Sequence, residues 1–186
     1  MQQKWDARYR DASDDTSPIE VLRDYDYLLP GTGQALDLAC GLGGNALYLA
    51  DRGMTVDAWD ISPVAVARLQ ARAAGSSIEA SVRDVTVDPP EPGRYDVICV
   101  GHFLERDLCP ALGAALRLGG LLFYQTWTSE RTDDSGPGDG PYRLQVNELL
   151  HLFPDLVVRA YREEGTLGDP ERGFRNRAQL VAQRAG

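Results

Sequence analysis

The sequence has little positive charge. Its 19 lysine and arginine residues stand against 28 aspartate and glutamate residues, which gives a formal net charge of −9. Proteins that bind nucleic acids neutralise phosphates with clustered lysine and arginine side chains. The acidic balance therefore argues against a nucleic-acid partner and favours a small-molecule substrate.

Long hydrophobic runs are also missing. No stretch of about 18 consecutive apolar residues occurs, although a membrane-spanning helix needs roughly that length. No apolar run follows a basic N-terminal region, as it would in a secretory signal peptide. We therefore expect no membrane partner and a cytoplasmic location.

Cysteine and histidine, the usual ligands of transition metals, are scarce. Cys40, Cys99 and Cys109 are an odd number, lack metal-ligand spacing and lie in or beside apolar segments. Such cysteines are typical of reduced, structural thiols. The sequence therefore predicts neither a disulfide framework nor a metal site.

The remaining composition is that of a globular protein. With 186 residues and 43% hydrophobic content, the chain can bury one sizeable core. We expect a single domain over residues 1–186, with a helical cover at residues 1–30. Residues 128–143 are polar and rich in glycine, and they are too long for a simple connector, which favours a lid loop.

One stretch, residues 34–70, carries most of the functional signal. It reads as a strand from Gln34 to Leu38, a glycine turn, a helix from Asn45 to Asp51, a strand from Met54 to Asp60 and a second helix. Ser62 and Pro63 are a typical start for that second helix. In an open parallel sheet, such a unit binds a ligand at the carboxyl ends of its strands.

Two cofactor classes use this unit. Gly41, Gly43 and Ala46 fit the dinucleotide pattern G-x-G-x-x-G/A, and Asp60 at the end of the second strand is placed to accept from ribose hydroxyls. Asp37 precedes the glycines, where a carboxylate suits a cationic amino-acid group and repels a pyrophosphate. Asp84, after the next apolar segment, can accept from an adenine amino group. These carboxylates, and a chain too short for a separate substrate domain, favour S-adenosylmethionine over a nicotinamide.

Further strands follow with candidate acceptor residues between them. A fourth strand, Tyr95 to Val100, leads to His102, which is either a general base or a capping and packing residue. Asp107 is expected to cap the next helix, Leu108 to Leu116. Arg143, at the end of the lid loop, is either an anion-binding residue or a solvated cation.

The C-terminal part completes the predicted sheet. We interpret Leu121 to Trp127 as a fifth strand, and Leu156 to Tyr161 and Ala178 to Ala182 as strands six and seven of an antiparallel hairpin. The predicted fold is a three-layer α/β/α sandwich around a Rossmann-like, seven-stranded, mostly parallel sheet, with the last strand antiparallel.

A family resemblance now rests on several motifs in order. The segments are LDLACGLGGNALYLADRG, VDAWDISPVAVARL, SVRDV, YDVICV and LRLGGLLFYQTW. Together they resemble a class I S-adenosylmethionine-dependent methyltransferase. The opening KWDARY and the tail ELLHLFPDLVVRAYREE are similar to those of the small tellurite-resistance and thiopurine-type methyltransferases.

The resemblance implies methyl transfer from S-adenosylmethionine, with S-adenosylhomocysteine as product. It implies Asp37 near the methionine amino group, Asp60 on the ribose, and Asp84 with Val85 at the adenine. It also implies that Arg8 and Tyr9 close over the cofactor. The full set of predicted cofactor residues is Arg8, Tyr9, Asp37, Ala39, Gly41, Gly43, Asn45, Asp60, Ile61, Asp84, Val85 and Val100, and His102 and Arg143 are the substrate candidates.

The sequence departs from the tellurite-type pattern in one place. Those enzymes carry a His-Arg pair and a further Arg before the last strand, whereas here the corresponding loop has no histidine and only Arg172 matches. Two other functions remain open at this point. They are a nicotinamide-dependent oxidoreductase and a non-catalytic module that binds S-adenosylmethionine.

Overall fold

A computed structural model describes residues 2–13 and 17–186. Its helices are α1 (Gln2–Arg10), α2 (Glu20–Asp24), α3 (Gly44–Asp51), α4 (Pro63–Arg72), α5 (Cys109–Ala115) and α6 (Glu148–His151), with 3-10 turns at Asp26–Leu28 and Arg106–Leu108. Its strands are β1 (Gly33–Leu38), β2 (Met54–Asp60), β3 (Ile78–Val82), β4 (Tyr95–Gly101), β5 (Leu116–Trp127), β6 (Val157–Glu163) and β7 (Arg177–Gln183).

The strands form one sheet in the order β3-β2-β1-β4-β5-β7-β6. The pairs from β3 to β5 are parallel, and β7 runs antiparallel to both of its neighbours. The predicted α/β sandwich with a reversed last strand is therefore confirmed. Because β7 is reversed, its first residue lies opposite Trp127, the last residue of β5.

Alternating strand residues build two cores, one on each face of the sheet. On one face, Ala35, Val97 and Phe123 pack with residues of α2, α3 and α4. On the other face, Leu36, Ile98 and Tyr124 pack with residues of α5, α6 and their flanking loops. The sheet is therefore the middle layer of three.

Several boundaries differ from the predicted ones. Within the helical cover expected at residues 1–30, the segment from Pro18 to Leu29 forms only α2 and a 3-10 turn, because Tyr25 leaves the helical region at φ −123° and ψ 24°. Asp107 lies inside the 3-10 turn before α5, and the N-cap of α5 is Leu108, so the predicted Asp107 cap is wrong. The predicted start of α4 is confirmed, since the Ser62 hydroxyl accepts from the Ala65 amide at 3.3 Å.

No helix within residues 2–13 and 17–186 is both long enough and apolar enough to cross a membrane.

The loops that carry the predicted site residues meet at the carboxyl ends of the parallel strands. There the loops after β1, β2, β3, β4 and β5 and the start of β7 lie side by side, in the order that the sheet imposes. Most of the predicted site residues lie on this edge.

Candidate functional site

Asp37, near the end of β1, lies beside the loop of residues 39–43, which we call the glycine loop. Its side chain is 0% exposed, and its carboxylate accepts from the Ala46 amide at 3.0 Å and from the Asn45 side chain at 3.1 Å. Burial raises the pKa of Asp37 from 3.8 to about 7, against the opposing effect of these hydrogen bonds. Asp37 therefore fixes the start of α3 and places a titratable group under the loop.

Asp60, the last residue of β2, joins the glycine loop to α4. One carboxylate oxygen accepts from the Gly41 amide at 2.8 Å, and the other accepts from the Ser62 amide at 2.9 Å. Burial raises the pKa of Asp60 as well. A carboxylate has about four lone-pair positions, so each oxygen keeps acceptor capacity for a hydroxyl group.

The glycine loop can take this shape, packed against α1 and α4, only because two of its residues are glycine. Gly41 and Gly43 have φ angles of 53° and 81°, which side-chain-bearing residues rarely adopt. A Cβ on Gly43 would lie 2.2 Å from Leu69 of α4, and one on Gly41 would lie 2.9 Å from the Tyr9 hydroxyl. With acceptors at Asp60, this cradle fits an adenosyl cofactor.

Helix α1 lies over this cradle. Asp6 accepts from the Ser62 hydroxyl at 2.5 Å, and the Arg68 guanidinium donates to the carbonyls of Tyr9 and, at 2.9 Å, of Ala12. Burial, with nearby Asp60, strongly raises the pKa of the Tyr9 phenol. Arg8 is exposed, and its guanidinium lies 5.4 Å from the ring of Trp5. The structure thus places Tyr9 on the glycine loop and Arg8 at its outer rim.

Asp84 and Val85 lie after β3, at the far end of the same edge. Asp84 is exposed and accepts from the amide of Thr86 at 3.1 Å and from its hydroxyl at 2.6 Å, and these bonds lower the pKa of Asp84. Val85 is buried beside Trp59 in the core. The predicted adenine contact stays a prediction, with the carboxylate on the surface and the valine below it.

Three smaller predictions concern residues around the loop. Ala39 has a φ of 55° and turns the chain out of β1, and Ile61 is half-buried between Asp60 and α4. Val100 is fully buried in the core beside Leu38 and Leu104. The predicted cofactor contact at Val100 stays a prediction, with the valine side chain inside the core near the end of β4.

His102 occupies the next position along the edge. It has a φ of 56°, its amide donates to the Gln125 carbonyl at 2.8 Å, and its ring stacks on Trp127 with centroids 5.0 Å apart. Partial desolvation, together with the cations of Arg177 and Arg8, lowers the pKa of His102. The imidazole is therefore neutral near pH 7, as a proton acceptor must be.

An ion pair between Arg177 and Glu20, which we did not predict from the sequence, lies beside the Trp127 ring. Arg177 donates to Glu20 at 2.6 Å, and its guanidinium lies 5.8 Å from the centre of the Trp127 ring. Glu20 also accepts from the side-chain nitrogen of Gln125 at 2.5 Å. The only signal for this pair was the reversed β7, which puts its first residue opposite the end of β5.

A cavity of about 620 Å³ opens beside Trp127, between the loop after β5 and the loop before β7. Its lining includes Thr132, Asp133, Ser135, Asn176 and Arg177. The Asn176 side chain accepts from the Thr132 amide at 2.6 Å and so ties the two loops together. The cavity lies farther along the edge than His102, away from the glycine loop.

Arg143 is buried at the end of the loop of residues 128–143. Its side chain is 1% exposed, and the guanidinium donates to the carbonyls of Pro137, Thr128 and Ser135 at 2.8, 2.8 and 2.6 Å. These bonds hold the loop of residues 128–143 in a compact shape. Arg143 is therefore not a solvated cation, and its contact with an anionic substrate stays a prediction, since three hydrogen bonds leave two of its five N–H groups.

Comparisons with known proteins agree with this geometry. Residues 35–119 match the model of a methyltransferase domain family, in agreement with the predicted resemblance to S-adenosylmethionine-dependent methyltransferases. That segment contains the glycine loop, Asp37, Asp60, Asp84 and His102. A search of curated proteins finds no significant match.

Solved structures share the whole fold. TehB from Haemophilus influenzae is 23% identical with a TM-score of 0.70, covering 98% of this chain and 66% of its own. A TehB-like S-adenosylmethionine-dependent methyltransferase from Corynebacterium glutamicum is 18% identical with a TM-score of 0.70, covering 98% and 97%. Geranyl diphosphate C-methyltransferase from Streptomyces coelicolor, solved with S-adenosyl-L-homocysteine, is 15% identical with a TM-score of 0.68, covering 89% and 79%.

Proposed function

We propose that this chain methylates a small-molecule acceptor with S-adenosylmethionine as the methyl donor, because residues 35–119 match a methyltransferase domain family and the fold is that of solved S-adenosylmethionine-dependent methyltransferases. The observation that carries the proposal is the pair of buried carboxylates, Asp37 and Asp60, that hold a glycine cradle at the edge of the sheet.

Each residue of the cradle has a definite task in this proposal. Asp60 accepts from the ribose hydroxyls while it keeps its bonds to Gly41 and Ser62. The positive φ angles of Gly41 and Gly43 keep the backbone close to the cofactor without a Cβ in the way. Asp37 holds the start of α3 through Ala46, and when it is ionised, above its pKa of about 7, its negative charge suits the methionine ammonium group. Tyr9 covers the loop from outside.

The chemistry asks little of the protein beyond position and exclusion of water. When bound, S-adenosylmethionine supplies a methyl group that is already activated on a sulfonium centre. The chain's own residues then orient the acceptor for in-line attack and keep water out. His102 is neutral near pH 7 and stacks on Trp127, and its task in this proposal is to shape the acceptor side of the site.

Two observations support an acceptor of small size. The cavity beside Trp127, at about 620 Å³, falls in the range of about 300–1,000 Å³ that is typical of small-molecule sites. The structural relative from Streptomyces coelicolor acts on geranyl diphosphate, which is itself a small molecule. The net charge of −9 also disfavours a nucleic-acid acceptor.

Two measurements test the proposal in sequence. A thermal-shift titration with S-adenosylmethionine, S-adenosylhomocysteine and NADH should raise the melting temperature with the first two compounds only. A screen with S-[methyl-³H]adenosylmethionine over thiols, metalloid oxyanions and small amines should then transfer label to at least one class. Stabilisation by NADH alone would show that the cradle holds a nicotinamide instead.

A further inference from the structure

Asn45, the second residue of α3, connects two parts of the site that are far apart in the sequence. Its side-chain nitrogen donates to Asp37 at 3.1 Å, and its side-chain oxygen accepts from the Ile19 amide at 2.9 Å. The residue is only 8% exposed. Because a carboxylate accepts and an amide N–H donates, each end of the carboxamide has one suitable partner.

From Ile19, the segment bound by Asn45 continues toward His102, Trp127 and Arg177. We call this part of the edge the acceptor side. The Val21 amide donates to Gln125 at 2.9 Å, and Glu20 accepts from both Gln125 and Arg177. Residues 19–21 are therefore attached to α3, β5 and β7 by four hydrogen bonds. This segment, with the Glu20–Arg177 pair, forms the wall behind Trp127.

The backbone between the two parts is shaped for this contact. Gly101, the last residue of β4, lies where a Cβ would come within 2.9 Å of Ile19 and 3.4 Å of the Asn45 nitrogen. The glycine lets both side chains reach the end of β4, directly before His102. A continuous polar path thus runs from Asp37 through Asn45, Ile19 and Glu20 to Arg177.

We propose that Asn45 is a positioning residue that couples the glycine loop to the acceptor side of the edge through the Ile19 amide. A cofactor that orders the loop then also orders residues 19–21, and with them Arg177 and Trp127. This inference rests on the proposed function, since it takes the glycine loop as the cofactor site.

Hydrogen exchange, followed by mass spectrometry on the full chain with and without S-adenosylhomocysteine, tests the coupling at residues 20–29. In the unaltered protein the ligand should slow exchange there by about fivefold or more, the lower end of coupling factors between sites. Asn45→Ala should bind the ligand with an affinity lowered by about tenfold or less, from the loss of a hydrogen bond. The ligand should no longer slow exchange at residues 20–29 in this variant.

Two further variants separate the coupling from general damage. Ile19→Pro removes the amide donor at a residue whose φ of −62° already suits proline, and it leaves the Asn45–Asp37 bond intact. It should abolish the ligand-induced protection as Asn45→Ala does. Tyr48→Phe breaks a 3.0 Å hydrogen bond from the same helix to Asp26, which lies in the measured segment but off the path through Asn45 and Ile19, and it should keep the ligand-induced slowing of exchange.

The outcomes distinguish this inference from the function on which it rests. If the unaltered protein does not bind S-adenosylhomocysteine, both the proposed function and the coupling fail. If it binds but Asn45→Ala or Ile19→Pro keeps the protection at residues 20–29, the coupling alone is overturned. Loss of protection in both variants, with Tyr48→Phe unchanged, supports it.

Discussion

The two halves of the site edge are held together by opposite chemistry. On the proposed cofactor side, the buried carboxylates of Asp37 and Asp60 accept from backbone amides of the glycine loop, of α3 and of the N-cap of α4. On the proposed acceptor side, the guanidinium groups of Arg143 and Arg175 donate to backbone carbonyls of two long loops. The first half is thus held chiefly by carboxylate acceptors and the second chiefly by guanidinium donors, although Arg72 also donates to the Leu42 carbonyl and Asn176 accepts from the Thr132 amide.

Because carboxylates hold one half and guanidinium groups the other, the two halves should respond differently to pH. Burial removes the water that would stabilise a charged carboxylate, so the pKa of a buried carboxyl group rises toward neutrality. A guanidinium stays charged throughout the physiological range. The cofactor half should therefore change its stability and binding near neutral pH, whereas the fastening of the acceptor half should not. Four measurements test this contrast.

The largest effect should be the pH dependence of stability that Asp37 confers. Its pKa is about 7 when folded, against 3.8 as the ordinary value, so the folded state holds a proton that the unfolded state has lost. The free energy of unfolding should therefore fall as pH rises from about 4 to about 7 and be flat above. The upper limit is about 4 kcal/mol, from about three pKa units at about 1.36 kcal/mol each.

Urea unfolding at a series of pH values measures this dependence. Asp37→Asn, which cannot ionise, should remove the decline between pH 4 and 7 that the unaltered protein shows. Parallel curves for the two proteins would mean that Asp37 is charged in the fold, and the contrast between the halves would be lost.

Removing the Arg143 guanidinium should have the next largest effect. Arg143→Met leaves three carbonyls without their donor, and we expect a loss of about 2–4 kcal/mol of unfolding free energy. The loss should be the same at pH 6 and pH 8. Chemical denaturation at both pH values measures it.

Arg131 offers a matched control for this substitution. It lies on the same loop, and among the described residues it forms ion pairs with the exposed Asp134 at 3.9 Å and Asp139 at 3.4 Å. Arg131→Met should cost about 0–1 kcal/mol. Equal losses in the two variants would refute the fastening role of Arg143.

Asp60→Ala tests the cofactor half directly. Loss of the carboxylate removes charge-assisted hydrogen bonds and should weaken S-adenosylmethionine binding by about 1–3 kcal/mol. Isothermal titration calorimetry measures the affinity. Asp57→Ala is a useful comparison, because Asp57 lies on the same strand but bonds to Arg94 and Tyr95 inside the fold. An unchanged affinity in Asp60→Ala would exclude the ribose role.

The smallest effect should come from His102, where stacking and proton transfer can be separated. His102→Phe keeps an aromatic ring on Trp127 and should retain most of kcat/KM. His102→Ala should lose about 0.5–1.5 kcal/mol of transition-state stabilisation, the usual worth of an aromatic pair. If both variants lose activity equally and far more than this, His102 acts as a general base rather than as a stacking partner.

Much of the cofactor half was readable from the sequence because its rules are local. Asp37, the glycines, Asp60 and Ser62 all lie within 26 positions of one another, and strand ends, glycine turns and N-caps are set by a few neighbouring residues. The reversed last strand was also predicted, from a hairpin pattern. The ends of these elements in the structure differ from the predicted ones by only a few residues. The helical segment expected before β1 is divided into α2 and a 3-10 turn.

The acceptor half depended on contacts that only the tertiary structure decided. Arg143 looked like a cation at the end of a flexible loop, yet folding buried it among carbonyls up to 15 residues earlier. Glu20 and Arg177, 157 positions apart, meet because β7 pairs with β5 in one register. The sequence by itself determined which side chains end each strand, since that follows from neighbours along the chain. Which long side chains meet across the edge was decided by strand order and register, which no local pattern encodes.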